Sequence, residues 1–237
     1  MEKILSEFVG EIKNKFEDKL YSIILYGSKV NNEAVENFSD YNILILFNDL
    51  KFDDLKFLSF IIKKWVKKGN SCPVIFSTQR FKMSSDVFPI EFMDMKQNHK
   101  VLYGKDVFDE IDITEKNLRH QCEYELKSNL LKLRKMYMLN VGNNKQLVNI
   151  LVNSLTSFLV VFKSILYLTE KNFPIKKVDA LNLLSKKINF DITPFLVIMK
   201  LKEKNKEVGK IDIEKLVEKY VTELEKIVDF VDNLKVE

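Results

Sequence analysis

The residues best placed to do chemistry in this 237-residue chain lie in two short stretches. The first is Leu25-Tyr26-Gly27-Ser28; eleven residues later comes Asp40-Tyr41-Asn42-Ile43-Leu44-Ile45. Phosphoryl transfer needs a place for phosphates and a place for metal ions. An apolar run ending in Gly-Ser supplies the first, because glycine lets the backbone come close to phosphate oxygens and the serine hydroxyl can donate to them. Asp40 supplies a carboxylate for the second. Strand alternation sets residue 42 on the same face as residue 40, where Asn42 is either a partner for a bound group or a hydrogen-bonded structural residue. A further carboxylate on a neighbouring strand would complete a metal cage. Glu91, in Pro89-Ile-Glu-Phe92, is placed for that if residues 88–95 form a strand. The pleat would then turn Asp94 to the opposite face.

The elements that must hold these groups can be read from hydrophobic period. Residues 2–18 place Ile4, Phe8, Ile12 and Phe16 on one helical face. Residues 21–26 and 42–47 are short, apolar and β-rich, as buried strands are. Residues 53–68 read as a helix with basic residues at its C-terminal end, stopped by Gly69-Asn70. Residues 73–77 predict a third strand and 88–95 a fourth, with a short helix opening near Thr78. This order predicts a small mixed sheet backed by helices. After about residue 112 strand signals give way to helical ones, over 115–140, 144–170, 175–187, 191–204 and 212–235, with Pro194 in a first turn. The reading is an α/β (α+β) domain over 1–110 followed by an all-helical bundle over 111–237 that binds substrate or mediates dimerisation.

The pattern of an apolar residue, Gly-Ser, eleven residues, then Asp, x, and an apolar run resembles the motif of the nucleotidyltransferase superfamily, the group of DNA polymerase β and the kanamycin nucleotidyltransferase. Gly27, Ser28 and Asp40 match that motif. Position 42 departs from it, holding Asn where the motif has a second carboxylate. Ser39-Asp-Tyr-Asn-Ile-Leu, Asp86-Val-Phe-Pro-Ile-Glu91 and Val101-Leu-Tyr-Gly104, with helices opening much like Glu125-Leu-Lys, are similar to a bacterial subgroup of uncharacterised nucleotidyltransferases. The resemblance implies transfer of a nucleoside monophosphate from an NTP to a hydroxyl on a small molecule, protein or RNA. Under it, Asp40 and Glu91 are catalytic and hold Mg2+ or Mn2+ with Asn42, and Gly27, Ser28 and Asn42 bind the nucleotide. The missing charge at Asn42 weakens the second metal position most. An alternative is therefore a nucleotide-binding regulator on the same fold.

Composition is compatible with both readings. The chain has 38 Lys and Arg against 34 Asp and Glu, a net charge of +4, which suits an anionic small molecule better than a dedicated nucleic-acid footprint. Cys72 and Cys122 have no His or Cys at ligand spacing, so no zinc site is expected, and a reducing cytoplasm is the simplest setting. The start of the chain lacks the basic-then-apolar pattern of a signal peptide. Residues 147–168 are long and apolar with one charge, Lys163, but Asn149, Asn153, Thr156, Ser157 and Ser164 form a polar stripe. That suits a central bundle helix facing its neighbours better than a bilayer span, and no membrane partner is expected. His99 and His120 read as isolated. Arg119-His120 and Arg134 to Asn140 resemble the signature of helical HEPN ribonucleases only loosely. An apolar bundle face makes a homodimer plausible.

Overall fold

A computed structural model describes residues 3–27, 29–30, 41–171, 177–203 and 211–236. Ser28 and Asp40 lie outside the described residues. The chain divides into two compact units, 1–113 and 114–237.

The first unit opens with α1 (Lys3–Phe16), then β1 (Leu20–Tyr26), β2 (Asn42–Phe47), α2 (Phe52–Lys67), β3 (Val74–Ser77), α3 (Thr78–Met83), α4 (Pro89–Gln97) and β4 (His99–Gly104). The strands form one mixed sheet in the order β3-β2-β1-β4. β1 runs antiparallel to β2 and β4, and β2 runs parallel to β3. Alternation divides the sheet residues between two cores. Ile23, Leu25, Ile43, Ile45 and Phe47 pack with α1 and α2, where Phe8 stacks on Trp65 at 4.2 Å. Ile24, Leu44 and Leu46 face Phe81 of α3 and Phe92 and Met95 of α4. With both faces covered, these strands read as continuous apolar runs.

The segment 88–95 is a helix and not the expected fourth strand; the fourth strand is β4, immediately after it. Pro89 occupies the first turn of α4, where its fixed φ and missing N–H cost nothing. Pro89, Ile90, Phe92, Met93 and Met95 are all buried, so apolar residues surround the short helix and leave no single stripe for the 3.6-residue period to show.

The second unit is helical throughout its described residues: α5 (Glu115–Asn140), α6 (Asn144–Glu170), α7 (Lys177–Ile188), α8 (Thr193–Lys202) and α9 (Ile213–Asp232). Thr114 caps α5, its hydroxyl accepting from the Asn117 amide, and Asp212 caps α9 in the same way through Lys215. α6 packs against α5, α7, α8 and α9 and buries twelve of its residues, from Leu147 to Leu168. It is also the one described helix long and apolar enough to cross a membrane, with 56% of its most apolar window buried inside the fold. Its polar stripe is divided: Ser164 is fully buried, Asn149 is exposed, and Asn153 and Ser157, although exposed, line a hollow with Asn129 and Lys132 of α5.

Candidate active site

Gly27 ends β1 with φ at +83°, a left-handed conformation that glycine adopts without strain. Its N–H donates to the Asn98 carbonyl at 2.8 Å, tying it to the start of β4, and its own carbonyl accepts from the Val30 amide at 3.0 Å. The chain thus folds back directly beyond the strand. A Cβ at position 27 would sit 3.1 Å from Asn42 Nδ2, so the Asn42 amide occupies the space beside the turn. Register explains the meeting: Tyr26 lies opposite Asn42 on β2 and opposite His99 on β4.

Directly opposed residues share a face, and Tyr26, Asn42 and His99 accordingly lie on the side of the sheet that α3 and α4 cover. The Tyr26 phenol is pushed above its ordinary pKa, first by burial and then by the negative charge of Asp94 on α4. Asp94 therefore lies near the end of β1. Because α4 is helical, Glu91 and Asp94 stand one turn apart on neighbouring positions, and no pleat separates them. Glu91 is exposed and Asp94 half-buried. The expected approach of Asp40 and Glu91 across adjacent strands does not hold, because Glu91 is on no strand. The strand actually beside β2 offers no substitute: Val74 pairs with Leu44, and Cys72 through Ser77 include no carboxylate. Among the described residues no three His, Cys, Asp or Glu side chains converge as a metal site.

Two features of this region were missed in the sequence reading. Lys29, two residues beyond Gly27, holds its ammonium 4.2 Å from the centroid of the Tyr41 ring. Tyr41 is itself buried and leans on Trp65 with ring centroids 5.8 Å apart. A cation is thus held beside both the glycine turn and the start of β2; its signal was a lysine following Gly-Ser directly. His99 is also not isolated. Its Nε2 lies 2.8 Å from Asp106 Oδ2, its Nδ1 lies 2.9 Å from the Lys96 carbonyl, and its ring tilts against Phe108 at 4.7 Å. Burial alone would raise the Asp106 carboxyl, but hydrogen bonds from His99 and from the Phe108 amide hold it below the ordinary range. The pair closes the loop after β4 onto the α3/α4 side.

In the helical unit, Arg119 donates to the backbone carbonyls of Leu234 and Asp232 at 2.8 and 3.1 Å, and Arg134 pairs with Glu225. Both arginines therefore brace α5 against the last helix.

A left-handed glycine turn and an amide on the next strand thus meet at one end of the two central strands, with a cation held over the Tyr41 ring close by. The family description "Nucleotidyltransferase domain" matches residues 5–99. A Methanocaldococcus jannaschii protein named "putative protein adenylyltransferase" is 30% identical over 113 residues, 46% of this chain and 75% of that protein. The chain belongs to the nucleotidyltransferase superfamily. Its fold is also similar to that of the spectinomycin adenyltransferase AAD(9) from Enterococcus faecialis, solved with ATP and spectinomycin. That likeness has a TM-score of 0.58 at 14% identity and covers 93% of this chain and 98% of the other.

Proposed function

We propose that the protein transfers AMP from ATP to a hydroxyl of an acceptor, using the end of the central strands β1 and β2 at Gly27 and Asn42. The observation that carries the reading is the Asn42 amide set against the left-handed Gly27 turn, with the Lys29 cation beside it. This arrangement suits a triphosphate: a cation near the phosphates, a side-chain amide able to donate, and no side chain at position 27 to keep them away. In the reaction the acceptor oxygen attacks the α-phosphorus. The bond from that phosphorus to the oxygen bridging to the β-phosphorus breaks, pyrophosphate leaves with the electron pair, and the hydroxyl proton passes to a carboxylate or to water. Gly27 and Ser28 hold the triphosphate in this proposal, Asp40 is the metal carboxylate, and a second carboxylate comes from α4, as Glu91 or Asp94. Asp94 is the better placed, through its proximity to Tyr26.

The donor set fits one hard cation shared with the substrate phosphates better than a cage built by protein alone, since magnesium binds through one or two carboxylates plus phosphate oxygens. When bound, a divalent ion such as Mg2+ or Mn2+ would neutralise charge on the phosphates. The names of the two similar proteins, a putative protein adenylyltransferase and a spectinomycin adenyltransferase, support a protein or a small molecule as the acceptor.

Asn42 also supports a second reading, a nucleotide-binding regulator without turnover, because an amide there removes a full negative charge from the metal position. Titration calorimetry with each of the four NTPs and Mg2+ or Mn2+, followed by incubation with α-labelled ATP and a screen of acceptors, separates the two. Transfer of label supports the enzyme. Tight binding without transfer supports the regulator. Absence of binding with either metal removes both.

A further inference from the structure

Outside the candidate site, two helices carry faces that the fold leaves uncovered, and the two match each other. On α2, Phe52, Lys56, Phe60, Lys63 and Lys67 recur at helical spacing and form one side. Phe52 is 83% exposed and Phe60 64%, far beyond what an aromatic ring needs for a partial seat on its own fold. Among the described residues no carboxylate pairs with Lys56, Lys63 or Lys67, whereas Lys64 and Lys68, on the flank toward α1, reach Glu11 and Glu7 at 3.6 Å. The uncovered side of α2 is therefore aromatic and positive.

On α9, Glu214, Glu218, Val221, Glu225 and Asp229 recur in the same way. The first four border a groove of about 720 Å³ against α5, with Tyr137 and Met138 on its far wall. An adjoining hollow of about 370 Å³ continues it along Leu131 and Asp229. Glu225 is paired with Arg134, and Glu214 accepts from the Gly142 amide at 3.1 Å. Glu218 and Asp229 have no cationic partner among the described residues. Arg134, Lys215 and Lys127 also line it, so this face is apolar with an excess of negative charge.

We infer that the two faces bind each other between copies of this chain, α2 of one molecule lying in the α5–α9 groove of another. Three observations select a second copy as the occupant. The lysines at 56, 63 and 67 and the carboxylates at 218, 225 and 229 have identical spacing, seven residues then four, so helices side by side in parallel register bring Lys56 to Glu218, Lys67 to Asp229 and Lys63 to the Arg134–Glu225 pair. The exposed rings Phe52 and Phe60 have an apolar floor to meet in Val221, Met138 and Leu131. Like faces cannot pair, since two α2 faces oppose lysine to lysine and two grooves oppose carboxylate to carboxylate. The contact is therefore between unlike faces, and a dimer forms when two such contacts close reciprocally.

Sedimentation velocity of the full chain at rising concentration tests this, with ionic strength as a second variable. Two charge-reversed proteins sharpen it: Lys56→Glu with Lys63→Glu and Lys67→Glu, and Glu218→Lys with Asp229→Lys. All five positions lie on these uncovered faces, and circular dichroism and melting temperature check the fold. The wild type should associate, at least tenfold more weakly in high salt. Each reversed protein alone should be monomeric, and an equimolar mixture of the two should associate again, because each acidic α2 meets a basic groove and each basic α2 an acidic one. A monomeric wild type at about 100 μM, a range where even weak specific contacts populate, overturns the inference. So does association that neither reversal weakens, or a wild type that stays monomeric but co-floats with vesicles of anionic lipid, which would assign the α2 face to a membrane surface.

Discussion

Position 42 decides most at the scale of the single residue. An amide in place of a carboxylate leaves the proposed cation position one negative charge short, while its Nδ2 still packs against the Gly27 turn. Asn42→Asp should raise divalent-metal affinity and, with it, any transfer rate. A carboxylate contacting the metal is worth roughly a hundredfold or more in rate, a few kcal/mol of transition-state stabilisation. Asp40→Asn should abolish most metal-dependent nucleotide binding. Little change in rate on Asn42→Asp would mean that the amide is already a working ligand. Lys29 gives a second expectation. Lys29→Ala should weaken NTP binding about tenfold, or about 1.4 kcal/mol, and flatten its salt dependence, whereas Tyr41→Leu keeps the charge but removes the ring beneath it and should cost less. Calorimetry at two ionic strengths reads both. Gly27 and Asn42 were legible in the sequence because motif spacing and strand alternation fix where they fall. Lys29 was not, because a cation–π contact depends on a ring twelve residues away.

Among the elements, sequence pattern succeeded where one period dominated and failed where none did. β2, α5 and α6 begin and end within a residue of the hydrophobic pattern because caps and turns mark them: Thr114 before α5, and Gly142 with φ at +81° between α5 and α6. α4 defeated the reading because it is apolar nearly all round, and the error carried into the site by placing Glu91 on a pleat. β4 was hidden by its half-buried character, with Lys100 and Gly104 exposed. Gly104 nevertheless has a strict requirement. Its φ is +81°, and a Cβ there would lie 2.0 Å from the Tyr21 carbonyl oxygen, where β4 closes on β1. Since neither atom is the end of a flexible side chain, Gly104→Ala must displace backbone. It should destabilise the first unit by about 3 kcal/mol or more, while Gly10→Ala, with open space around it on α1, should stabilise slightly or do nothing. Urea unfolding followed by Trp65 fluorescence compares the two.

For the molecule as a whole, charge placement predicts how it fails in acid. In the first unit the Asp54 carboxyl is held below its ordinary pKa by a hydrogen bond from Lys19 at 2.8 Å and by the Lys51 amide at 2.9 Å. Glu110 is lowered by Lys82, and Asp106 stays low despite burial because of His99 and the Phe108 amide. In the second unit Glu123 is lowered by Lys127, and Asp191 by its hydrogen bonds to Thr193. A carboxyl whose folded pKa lies below its unfolded one binds fewer protons folded than unfolded, so stability rises with pH across that interval. The stabilisation is complete above the unfolded value near pH 4 and disappears as pH falls through the lowered folded values. The protein should therefore hold a flat denaturation midpoint from neutrality to about pH 5 and lose it steeply below pH 4. Asp54 ties β1's entry to α2, and Asp106 ties the loop after β4 to His99 at that strand's start, so that unit should give way first. Asp106→Asn should lower stability at pH 7 and leave a shallower loss between pH 5 and pH 3, because the group that titrates there is gone. Urea titrations at several pH values, with Trp65 fluorescence reporting the first unit and far-ultraviolet circular dichroism the mainly helical second, check it. A Trp65 transition as acid-sensitive in Asp106→Asn as in the wild type would show that the His99–Asp106 pair contributes nothing to the acid response.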